Sequence, residues 1–245
     1  MLTEKEIIEL YEKYEKDFNC NLPTLIITQE FINQINSIIE NIDKDNAYIT
    51  IGKEFNCANR NKRYIESVLY HEFTHIYDHA TLFKDIDNFQ EKTNYLFPYT
   101  EIHAIIIETK YNLGLIYNPK KDIGLSSILY SEDSSRKLKD YLQEIYEGSE
   151  RFFEKIEWNE DNVHAALMNI AYYIGISVFL EEYNLNNPYS IKFPKEWDID
   201  EEFNQVKTLY QNNEITENLC KEMNSLANEI ANKIYYYYND SPATE

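Results

Sequence analysis

The chain has 245 residues, 43% of them hydrophobic and including 22 Tyr and 12 Phe, which is enough for an ordinary core and too much for a disordered protein. With 43 acidic against 23 basic side chains its formal net charge is −20, a field that repels nucleic acid and anionic membrane and argues against a phosphate-binding role. Five Gly and six Pro favour helix over a many-turned all-β fold. Cys20, Cys57 and Cys220 are odd in number with no metal-ligand spacing, which predicts reduced thiols. The N-terminus, Met1-Leu2-Thr3-Glu4-Lys5-Glu6, lacks the order of a signal peptide, and no apolar run approaches spanning length; a soluble, cytoplasmic protein is expected.

In chain order, Thr3 and Glu6 form a capping box for a first helix ending near Phe18, with Ile7, Leu10, Tyr11 and Tyr14 on one face. Residues 22–27 read as a short strand. Residues 29–42 read as a second helix, with apolar positions at Phe31, Ile32, Ile35, Ile38, Ile39 and Ile42. Ala47 to Ile51 alternates as a strand and stops at Gly52. Asn61 caps a helix running to about Leu82, residues 84–96 are polar and loop-like, and a further helix runs from Pro98 to Leu113 with Gly114 past its end. Residues 117–127 form the best internal boundary. Beyond it the sequence reads as wholly helical, over 134–158, 161–183, 200–211 and 216–238, with a disordered tail at 241–245.

The chemistry lies in His71-Glu72-Phe73-Thr74-His75. Two histidines four apart share a helix face and can both reach one zinc ion at about 2.1 Å. Glu72, one step around, is placed to take a proton from a water activated by the zinc and to return it to a leaving amine. Val68, Leu69 and Tyr70 before the motif and Phe73, Thr74, Ile76 and Tyr77 around it are uncharged, as expected of a buried helix that offers polar groups to a metal.

This segment resembles the zincin superfamily of metallopeptidases, specifically over Val68 to Asp78. The resemblance implies an edge strand ahead of the motif helix that binds substrate backbone; Ala47 to Ile51 occupies that place, with Tyr48 and Thr50 on the substrate strand. Asp78 and Thr81 stand where the metzincin branch has Gly and a third His. The gluzincin branch takes its third ligand from a Glu on a following helix, and Glu101 in Thr100-Glu101-Ile102-His103-Ala104 is similar to the Glu-x-x-Ala of small intracellular ImmA/IrrE-type peptidases. His103 competes for that role. The two are about 200° apart around a helix, so both cannot face one metal, and Glu101, on the stripe of Ala104, Ile105 and Glu108, is preferred.

Asp78 and Glu108 are candidates to orient an imidazole through its second ring nitrogen. His79 is either a fourth ligand or, preferably, a partly exposed residue at the helix end. The resemblance also implies an oxyanion-stabilising His or Tyr from the C-terminal part, which His164, Tyr172 or Tyr173 could supply. The expected architecture is a mainly helical α+β protein with a minimal zincin core over 1–118, a short sheet and edge strand, and a helical portion over 119–240. The expected function is zinc-dependent hydrolysis of a protein or peptide substrate. The alternative is an acidic interaction protein of mobile-element origin, such as a toxin, antitoxin or defence antagonist, with a structural or vestigial metal.

Overall fold

A computed structural model describes residues 1–28, 37–52, 54–57, 59–155 and 160–240. The fold is α+β and mainly helical, 61% of it helix, with one sheet of three strands and another of two. The chain divides into two compact units, one made of Met1–Thr93 and His103–Leu138 and the other of Asn94–Ile102 and Lys139–Glu245.

In the first unit, α1 (Glu4–Phe18) begins at the expected capping box, where Thr3 and Glu6 each satisfy the other's backbone N–H. Its apolar face, Ile7, Leu10, Tyr11 and Tyr14, is buried as the spacing predicts. That face packs on α2 (Lys62–Thr81) through aromatic edges, with Tyr11 and Phe73 ring centres 4.9 Å apart and Tyr14 and Tyr70 5.2 Å apart. The sheet comprises β1 (Thr24–Thr28), β2 (Ser37–Ile42) and β3 (Asn46–Ile51) in the order β1-β3-β2. β3 runs parallel to β1 and antiparallel to β2. Ala47 and Ile49 of β3 are fully buried in the core that α1 and α2 complete.

Two expectations fail here. Residues 37–42 are strand, not helix; residues 29–36 of that expected helix lie outside the described residues. The physical reason is a bulge between Ile39 and Asn41. One extra residue lets Ile39 and Ile42, three apart, both pack against the core, and that spacing imitates a helical stripe. Nor is β3 an edge strand: Thr50 pairs with Thr28 on one side and Ile38 on the other, so its backbone is already committed. The Thr50 side chain is 1% exposed and its hydroxyl meets Glu40 and Thr28, the latter at 2.7 Å. Thr50→Pro should therefore destabilise the whole unit by about 3 kcal/mol or more, by removing a central ladder bond. A shifted denaturation midpoint checks this; wild-type stability would contradict the central placement.

α3 (Phe89–Leu96) replaces the expected loop over 84–96. Asn88 caps it, accepting from the Glu91 N–H at 2.9 Å, but only Leu96 is buried, so no apolar stripe marks it. α4 (Tyr99–Leu113) ends as expected at Gly114, whose φ of 80° suits glycine. A hairpin follows, β4 (Ile128–Tyr130) and β5 (Ser135–Lys137), where helix or linker was expected. Asn112 clamps it to α4 by accepting from the Tyr130 N–H at 2.8 Å and donating to its carbonyl at 2.9 Å. The hairpin therefore belongs to the first unit, and the backbone leaves that unit after Leu138 rather than near 118.

The second unit contains α5 (Leu138–Lys155), α6 (Glu160–Glu182), α7 (Asp200–Asn212) and α8 (Glu217–Asp240). α6 corrects the expectation about apolar runs: residues 162–182 have mean hydropathy 1.6 and are long enough to cross a bilayer. Of that segment 67% is buried, as in the central helix of a bundle. The tail at 241–245 lies outside the described residues.

Candidate metal centre

α2 places the motif. Asn61 caps it by accepting from the Arg63 N–H, and the Leu82 N–H closes its last turn on the Asp78 carbonyl. Leu69, Tyr70, Phe73 and Ile76 are fully buried, so the helix is anchored by one side and offers the other. On that side His71, Glu72 and His75 are half-buried. The two imidazole centres are 4.7 Å apart with planes at 76°. Burial pushes the His75 pKa well down, helped by the neighbouring His71, His79 and His103 rings. Its ring is thereby kept neutral, the form a metal requires.

The third member comes from α4. Ligand atoms of His71, His75 and Glu101 all lie within 4.8 Å of one another, the one such group among the described residues. The unit division falls between Ile102 and His103, inside one continuous helix, so α4 itself positions Glu101. Donors bound tetrahedrally at about 2.1 Å would sit roughly 3.4 Å apart, inside the 4.8 Å that bounds these atoms. Two imidazoles and one carboxylate fit zinc and leave a fourth position for water.

Two carboxylate–imidazole pairs flank this group, and each of the two candidate acids meets a different ring. Glu108 of α4 meets His71 Nδ1 at 3.1 Å, so Glu108 is the acid that orients a candidate ligand and leaves Nε2 for the metal. Asp78, 1% exposed, instead holds His103 Nδ1 at 2.9 and 3.2 Å. The pairing of 71 with 108 and 78 with 103 shows that α2 and α4 run antiparallel. It also occupies His103 with Asp78 and keeps it out of the ligand group. Sequence reasoning weighed Asp78 and His103 separately and missed the pair; an antiparallel placement of the two helices is the signal that joins them.

Other candidates fall elsewhere. His79 is not at an exposed helix end: it is 4% exposed and stacked on Phe89 at 5.0 Å. Nor is it in the ligand group. His164 is exposed on α6, its ring 6.0 Å from Phe97 in the second unit. Tyr173 is buried and donates to the Ile145 carbonyl at 2.8 Å, while the Tyr172 hydroxyl meets that of Tyr141; both are engaged within that unit. Tyr48 is half-buried on β3, and Thr50 is occupied as described.

Burial lowers the His79 pKa from 6.5 to about 3, with Lys92 adding to the effect. Between these values the unfolded protein binds a proton that the folded protein refuses, so this contribution is intact above 6.5 and is lost as pH falls towards 3. From about pH 7 to pH 5 the loss from this ring alone is about 2 kcal/mol, and His75 acts in the same direction. Chelator-treated protein should melt lower at pH 5 than at pH 7, and His79→Phe should flatten that slope; equal slopes would contradict the burial argument. Comparison with protein-family models, curated proteins and solved structures gave no match to this sequence.

Proposed function

We propose that this protein is a zinc metallopeptidase that hydrolyses peptide bonds in a protein substrate, with His71, His75 and Glu101 as the residues that hold the metal. The observation carrying this is the convergence of those three donors on the helical turn that also bears Glu72. Bound there, zinc supplies Lewis-acid polarisation of a carbonyl and lowers the pKa of water. Glu72 takes the proton from the attacking water and delivers it to the departing amine. Glu108 fixes the ring orientation of His71 through Nδ1. Asp78 fixes His103 beside His75, where that imidazole can donate to polar groups of a bound substrate.

The resemblance to zincins calls for an edge strand, and β2 takes the part first given to β3. It is antiparallel, its only strand partner among the described residues is β3, and Ile39 and Ile42 pack against the core that includes α2. Extended substrate pairing with β2 would run alongside the motif helix.

One observation favours the other reading, an acidic interaction protein. The second unit holds 22 acidic against 8 basic side chains, and so most of the net charge of −20. Metal coordination separates the two. Titration of the purified protein should load one zinc with an exchangeable water, read on a cobalt-substituted sample by its visible spectrum and by displacement with a small anion. A site closed by four protein donors would favour a structural metal.

A further inference from the structure

We draw no further inference here: the strongest candidate, the side-chain cluster of Asp78 and His103 between α2 and α4, belongs to the metal site already described.

Discussion

Glu72→Gln should keep about one zinc per molecule and lose peptide hydrolysis by roughly 10²–10⁴-fold or more, because the same side chain serves both proton steps. The amide is nearly the shape of the carboxylate and sits on a helix held by Leu69, Tyr70, Phe73 and Ile76 on its other side, so neither fold nor ligands should move. The amide cannot accept the proton that the attacking water must lose. Metal analysis and initial rates on the same preparation check both halves. Retained cleavage would remove Glu72 from the mechanism while leaving the metal group intact.

The second large effect concerns zinc affinity. Glu101→Ala removes one of three proposed donors and should weaken zinc binding by well over the roughly 10–100-fold that loss of an outer partner costs. Glu108→Ala should fall within that range, since Glu108 acts on the metal only through His71 Nδ1. His103→Ala should cost less than either, because its ring is held by Asp78 and lies outside the donor group. Competition with a chromophoric chelator gives the order directly. If His103→Ala proves the most damaging, Glu101 is not the third ligand, though the pair His71 and His75 would remain.

The elements legible in the sequence are those marked by local chemistry. Thr3 with Glu6, Asn61 ahead of α2 and Gly114 behind α4 mark helix ends through side-chain and backbone hydrogen bonds made within a few residues. His71, Glu72 and His75 are legible for the same reason: one helical turn defines their arrangement. What escaped depends on partners distant in the sequence. The bulge in β2 disguised a strand as a helical stripe, and the three-residue strands β4 and β5 are held by Asn112 rather than by any alternation of their own. The central place of β3 follows from β1 and β2 lying on either side of it, which no pattern within residues 46–51 can announce.

The candidate site divides along the same line. Periodicity put Asp78 and Glu108 on the right faces of their helices, but which imidazole each meets is decided by the antiparallel register of α2 and α4. His79 looked like a helix-end residue because the backbone leaves α2 only three positions later. Its burial comes from Phe89 and Thr93 of α3, an element too polar and short to be foreseen.

One measurement tests most directly the proposal that this molecule cuts proteins with a metal held by α2 and α4. Lysate from the source organism is incubated with the zinc-loaded protein, with the same protein plus chelator, and with Glu72→Gln, and newly formed N-termini are mapped by mass spectrometry. A discrete set of new N-termini that appears only with the zinc-loaded wild type is the predicted result. Identical N-termini in all three samples, from a preparation shown to carry one zinc, would contradict the peptidase assignment.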